Sequence, residues 1–338
     1  FAAAAATAPL LQAWYARSGR ADAHDPYYLY AASNLGSFVG LLGYPILIEP
    51  LFGAQAQSTA WSFAYIAVGV LIALAAASAL SAKAQTPAPS AIAAPAPTWR
   101  KRLFWMAAAA IPSAASLGVT LHISTDIASA PFLWVIPLAV FLATFILVFR
   151  ETPVLPHRLL LLVQPVFVAL ALIGLSLSGN RGWMLASMFG FGAFFVTTMV
   201  CHKELYDQRP EPRRLTEFYL WMSLGGVLGG IFAALLAPQL FNAIYEFPLL
   251  LLAGLLCRSD ARTAFADREE AQDAAMTGFF MLTMILAFLA AISAGSVPRF
   301  IASSAAPIAI LVLAVFAVAS LGKPLHLTAL SGVMGLCL

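Results

Sequence analysis

Charge is what this sequence has least of. Asp, Glu, Lys and Arg make up 10% of its 338 residues, against roughly a quarter in an ordinary soluble domain. A globular core wrapped in a charged, water-facing shell is therefore excluded. Cysteine is scarce as well. Cys201, Cys257 and Cys337 lie in or beside apolar runs, with neither a C-x-x-C nor a His-paired spacing. That points away from a disulfide scaffold or thiolate metal site and towards buried free thiols. Enzyme signatures are missing: no Gly-rich phosphate loop, no G-x-S-x-G elbow, no H-E-x-x-H. No soluble block is large enough for a nucleotide domain, and no paired intramembrane protease motif sits on adjacent runs. The expectation is a protein that is not an enzyme, with no catalytic residue, no cofactor and no metal. His202 and Glu204, in "CHKELYDQRP", have the residue types of metal ligands, but as a pair at a cytoplasmic helix end they are weak candidates. His157 and His326 are read as solvated helix-end residues.

What fills the sequence instead is apolar: 62% of the residues are hydrophobic. "WSFAYIAVGVLIALAAASAL" from Trp61 and "RLLLLVQPVFVALALIGLSLSG" from Arg158 reach the roughly 20 residues that a helix needs to cross a bilayer. They are too long and too uniform for barrel strands, and helices satisfy their own backbone groups in lipid. The expected fold is all-α, a polytopic transmembrane bundle of about twelve elements. A partial helix ends near Ala16. Helices follow at about 28–50, 58–80, 103–122, 131–149, 158–178, 182–201, 215–238, 244–257, 275–294 and 300–320, with a partial one from Leu325. No signal-peptide pattern is present, and both ends fall in apolar stretches, as expected of part of a longer polypeptide.

Drawn as a zigzag, these spans sort the basic residues. Arg17, Arg20, Lys83, Arg100, Lys101, Arg102, Arg150, Arg158, Lys203, Arg209, Arg213, Arg214, Arg258, Arg262, Arg268 and Lys323 fall on one side; only Arg181 and Arg299 fall on the other. Positive residues stay cytoplasmic, which sets the orientation and implies a multi-pass protein of a bacterial cytoplasmic (inner) membrane. The net charge of +3 resides in loops that face anionic lipid and does not point to nucleic acid. The organisation expected is N-terminal helices over 1–80, a Pro/Ala-rich cytoplasmic linker over 81–102, and a central bundle over 103–257. A charged cytoplasmic loop over 258–274 and C-terminal helices over 275–338 complete it.

One pattern occurs twice. "YLYAASNLGSFVG" (Tyr28 to Gly40) and "YLWMSLGGVLGG" (Tyr219 to Gly230) share Tyr-Leu-aromatic, then Ser, then Leu-Gly-small-x-x-Gly, and each runs on to Pro and Phe. Both segments start inside, so the repeat is parallel, as in two bundles related about the membrane normal. Gly36 and Gly40, Gly225 and Gly229, and Gly226 and Gly230 are each four apart. Such small-x-x-x-small faces allow close helix packing; a helix that slides against its neighbour needs the same smooth face.

Polar residues inside apolar runs are the candidate sites. His122 and Asp126 are four apart in "GVTLHISTDIASAPFLW", and Pro131 and Pro137 interrupt the next helix. A broken-helix pocket for a cation or proton is one reading; an outer turn with Asp126 as a helix cap is the other. Asn34 either lines a cavity with them or bonds across helices. Arg213, Arg214 and Glu217 form a cytoplasmic cluster, structural or a gate.

The stretches "DPYYLYAASNLGSFVGLLGYPILIEPLFG", "STDIASAPFLWVIPLAVFLATFILVF" and "CHKELYDQRPEPRRLTEFYLWMSLGGVLGG" give the chain a further identity. It resembles the membrane portion of bacterial spermidine-synthase-like integral membrane proteins, over most of residues 9–257. The resemblance implies major-facilitator-like spans and hints at transport of a small, cationic solute. The nucleotide loop and acidic polyamine ligands of a synthase domain are lacking, so polyamine synthesis is not implied. The function expected is a transporter working by alternating access, in contact with membrane lipid and a small solute or proton. The alternatives are an accessory or scaffold subunit among other membrane subunits, or the anchor of a separate soluble domain.

Overall fold

A computed structural model describes residues 2–16, 25–81, 96–126, 134–150, 154–176, 180–241, 245–260 and 272–277, with residues 18, 20, 23, 269 and 329. Most of the Pro/Ala-rich linker, residues 261–268 of the charged loop and nearly all of 278–338 lie outside the described residues, as do the side chains of Asp126 and Arg181.

Every regular element among the described residues is helical. In order they are α1 (Ala2–Ala16), α2 (Tyr28–Gly43), α3 (Glu49–Leu51), α4 (Ala54–Ser81), α5 (Trp99–Asp126) and α6 (Val135–Val148). Beyond them come α7 (His157–Ser176), α8 (Asn180–Asp207), α9 (Leu215–Ile231), α10 (Ala237–Leu240) and α11 (Glu246–Leu256). Among the described residues, four stretches are long and apolar enough to cross a membrane: Tyr28–Leu51, Ala54–Leu80, Trp99–His122 and Pro212–Leu240. Val135–Val148, His157–Leu172 and Glu246–Leu256 are shorter apolar helices.

Local chemistry sets several boundaries. Thr98 precedes α5 and its hydroxyl accepts from the Lys101 N–H at 3.3 Å, an N-terminal cap. Pro137 falls in the first turn of α6, where a missing N–H removes no helical bond. The interruption expected from it therefore does not occur within the helix.

The two repeated segments deviate from α geometry in the same way. α2 passes into a π turn at Tyr44–Ile48, and α9 passes into one at Phe232–Leu236. The bonds closing them run from Glu49 N–H to Tyr44 O and from Ala237 N–H to Phe232 O. Pro50 and Pro238 lie just beyond, and a proline cannot donate to the carbonyl four residues back. A wider turn is one way the ladder absorbs that loss. Each segment then ends in extended backbone at a phenylalanine, Phe52 (φ −126°, ψ 129°) and Phe241 (φ −117°, ψ 142°). At the first corner the Tyr44 hydroxyl donates to Gln57 Oε1 (2.9 Å), and Gln57 Nε2 donates to Phe52 O (2.7 Å).

Lipid tails are as apolar as leucine, so close packing and interhelical hydrogen bonds hold such helices together. α5 lies along α9, α7 along α8, and α2 along α6. The α5–α9 seam depends on glycine. A Cβ on Gly225 would collide with the Met106 carbonyl oxygen, and one on Gly229 with the Ala110 carbonyl oxygen. Ser113 Oγ donates across the seam to Gly226 O at 3.0 Å. Gly226, Gly230, Gly36 and Gly40 have nothing within 4 Å of such a Cβ among the described residues. Of the glycine faces in the sequence, one packs closely here.

The core has two layers. One layer is aromatic, built on Tyr27, Trp105, Phe145, Phe149, Phe218 and Tyr219. The other is smaller and more aliphatic, with Ala114, Ala115, Val168, Leu172 and Leu251 around Phe194 and Phe247.

Candidate functional site: a polar layer at one end of the bundle

The start of α2, the start of α5 and the start of α9 all carry charge, and the fold gathers these ends with the end of α8. Glu217, in the first turn of α9, sits between two guanidinium groups. Arg102 from α5 approaches it at 2.6 Å through one nitrogen and 2.8 Å through Nε, and Arg214 at 3.2 Å. Arg213 is exposed and joins no ion pair among the described residues. The cluster read from sequence thus keeps Arg214 and Glu217 and gains Arg102, which is 115 residues away in sequence. The Arg102 guanidinium lies over the Trp99 ring at 5.1 Å, and Trp99 meets Trp221 edge-on at 5.7 Å, so the arginine is held by stacking as well as by charge.

A second set of contacts joins the loop before α2 to the loop before α9. Arg209 donates to Asp25 at 2.9 Å. Its guanidinium rests on the Tyr206 ring at 3.8 Å, with the Tyr27 ring at 5.6 Å. The Tyr27 hydroxyl donates to Pro210 O at 2.8 Å, and Trp105 Nε1 donates to Gln208 O at 3.2 Å. Burial pushes the Tyr27 hydroxyl well above its ordinary titration range, because desolvation disfavours the phenolate; it stays a donor. Asp25, Tyr27 and Arg209 carried no signal in sequence, because their pairing depends on which loops the fold brings together.

The other polar residues take different places. Asn34 is buried on α2, and its Nδ2 donates back to Tyr30 O at 2.8 Å. His122 is buried near the end of α5 and stacks on Phe247 at 6.0 Å and 14°. Both helices start at the same end of the bundle, so at 1.5 Å per residue Asn34 lies roughly 9 Å in from that end and His122 roughly 35 Å in. No described contact joins them. Asp126 is the last residue of α5.

His202 and Glu204 are not at a solvated helix end, because neighbouring helices cover them. Both are buried, with 0% and 2% of their surface exposed. Glu204 accepts from the Ser259 N–H at 3.0 Å and meets His157 Nε2 at 3.3 Å, so His157 is engaged rather than only solvated. Arg258, also buried, holds Asp260 through two nitrogens (2.9 and 2.6 Å) and donates to Leu161 O at 2.7 Å. Cys201 and Cys257 are buried free thiols beside one another. No group of three or more His, Cys, Asp or Glu side chains able to hold a metal occurs among the described residues.

No family model, no curated protein and no solved structure matches the chain. Its apolar helices are those of a membrane-embedded helical protein.

Proposed function

We propose that this protein is a transporter-like membrane protein that works by alternating access, with the cytoplasmic polar layer as its inner gate. One observation carries the reading. Asp25–Arg209 and Tyr27–Pro210 fasten the entry to the first repeated helix to the entry to the second. Arg102 and Glu217 close the same end from α5 and α9. Contacts between exposed or half-exposed ions are individually worth only about 0–1 kcal/mol, so such a layer can open and re-form. The repeated segments, with their matching π turns and closing phenylalanines, support two related bundles of the major-facilitator type. The resemblance to spermidine-synthase-like membrane proteins points the same way. His122, with Asp126 at the end of the same helix, would be an outer polar element. Asn34 would belong to the inner half.

The test is cytoplasmic access. A cysteine placed at the buried Ala31, in a chain whose native cysteines are replaced, is treated with a membrane-impermeant thiol reagent from the cytoplasmic side. Labelling should be slow in the parent and several-fold faster once Arg209→Gln opens the layer. Equal, negligible labelling in both would refute the gate. The accessory-subunit reading has its own support: among the described residues nothing buries the apolar window of Ala54–Leu80, a surface suited to lipid or another subunit. Stoichiometric foreign subunits in a native particle purified in mild detergent would favour it.

A further inference from the structure

His202 lies inside the bundle with a tautomer that its surroundings define. Its Nδ1 is 2.9 Å from Thr144 Oγ1. The Thr144 hydroxyl has one hydrogen, and its 2.7 Å contact with Phe141 O uses it. Thr144 therefore accepts from His202, so Nδ1 carries the hydrogen and Nε2 presents a bare lone pair. Nε2 is buried and has no hydrogen-bond partner among the described residues. The ring is stacked on Phe145 at 3.6 Å and 22°, and Phe141 stands edge-on at 5.3 Å.

The charged neighbours are committed elsewhere. α6 has no titratable residue. On α8, Lys203 pairs with Asp207, and Glu204 with His157 of α7 and the Ser259 N–H. Arg158 of α7 is exposed. Beyond α11, Arg258 pairs with Asp260, while Cys257 lies beside Cys201. Glu246 of α11 and His122 of α5 are at the far end. At the near end of α5, Arg102 is held by Glu217, Lys101 lies over Trp105, and Arg100 is exposed. Arg150, just past α6, is exposed, and among the described residues no counter-ion is spare for an imidazolium, so His202 is neutral in this arrangement.

One turn further along α8 is Tyr206, on which Arg209 of the inner layer rests. Phe145, stacked on His202, meets Tyr30 at 5.1 Å, and Tyr30 meets Tyr219 at 5.0 Å. Ring contacts through Phe145 and Phe149 thus link His202 to Tyr206 and the closed layer.

We propose that His202 Nε2 is the proton-binding site of this protein, empty while the cytoplasmic layer is closed and filled when it opens. This deepens the transport reading and rests on it. An ionisable side chain buried in a membrane bundle needs water or a partner to charge, and opening the Asp25–Arg209 layer would admit water one turn away. The proton comes from that water, binds the Nε2 lone pair and makes the ring a cation; as the layer closes, the departing water takes it back.

The test is ¹⁵N-histidine NMR of the full chain in lipid nanodiscs, with the His202 signal assigned by its loss in His202→Gln. In the parent, His202 should keep one bare and one protonated nitrogen down to about pH 5. In Arg209→Gln it should be about half protonated near pH 6.5, the ordinary imidazole midpoint. Identical, neutral spectra in both would overturn the proposal and leave the ring a packing element. Identical titration in both would overturn the link to the layer. If Arg209→Gln does not fold, Glu217→Gln opens the same end and gives the same comparison. The spectra report protonation whether or not any solute moves, so failure of this site and failure of the transport reading are separable.

Discussion

Replacing each glycine of α9 by alanine should divide them into two classes. For Gly225 the new methyl carbon would sit 2.9 Å from the Met106 carbonyl carbon and 3.0 Å from its Cα; for Gly229 both distances to Ala110 are 3.0 Å. Favourable carbon–carbon contact begins near 3.5 Å, and the carbonyl oxygens are closer still. Backbone cannot swing aside as a side-chain tip does, so α5 and α9 must separate by at least about half an ångström. Overpacking of this kind costs roughly 1–3 kcal/mol, about a 5- to 150-fold loss in the folded-to-unfolded ratio. Gly226→Ala and Gly230→Ala meet nothing within 4 Å among the described residues, and alanine is the better helix former by up to about 1 kcal/mol. These two should be neutral or mildly stabilising. Denaturant titration of purified variants in one detergent, followed by tryptophan fluorescence, measures the difference. If Gly226→Ala proved as harmful as Gly225→Ala, the seam would not run where the structure has it.

Three further expectations are independent of that seam. Arg102→Gln should destabilise by about 1 kcal/mol or less, as a half-exposed pair allows, with an effect that shrinks as salt rises; Arg213→Gln should be silent in the same titration. Tyr27→Phe removes a buried hydrogen bond and should cost about 1 kcal/mol, whereas Tyr65→Phe, on an exposed helix face, should cost nothing measurable. Cys201 and Cys257 should resist a thiol reagent in the folded protein and react on unfolding, which mass spectrometry of the labelled peptides would count; rapid native labelling of either would contradict their burial.

The helices were legible because apolar runs of membrane length admit few other structures. The four stretches among the described residues that are long enough to cross a membrane fall on four runs read from sequence. Pairing across the fold was not legible. Glu217 has Arg213 and Arg214 within a turn, so local spacing offers both, and nothing local names Arg102. The glycines show the same limit. Gly225/Gly229 and Gly226/Gly230 have identical spacing, and only the position of α5 decides which face is crowded. Asn34, His122 and Asp126 looked alike as polar interruptions because sequence carries no depth until each residue is placed along its helix. His202 reads only as a helix-end residue with a ligand's chemistry because Lys203 follows it; its covering comes from α6 and its phenylalanines.

The π turns have a consequence for register. A π turn holds one residue more than the α turn it replaces, so each takes in an extra residue without unravelling the helix. Removing one residue from Tyr44–Ile48 would restore α winding and rotate everything beyond it by roughly 100°, taking Tyr44 and Gln57 out of register. The two π turns begin four residues after Gly40 and three after Gly229, and each stops two residues short of a proline, so what the two corners hold in common is keyed to the proline rather than to the glycine face.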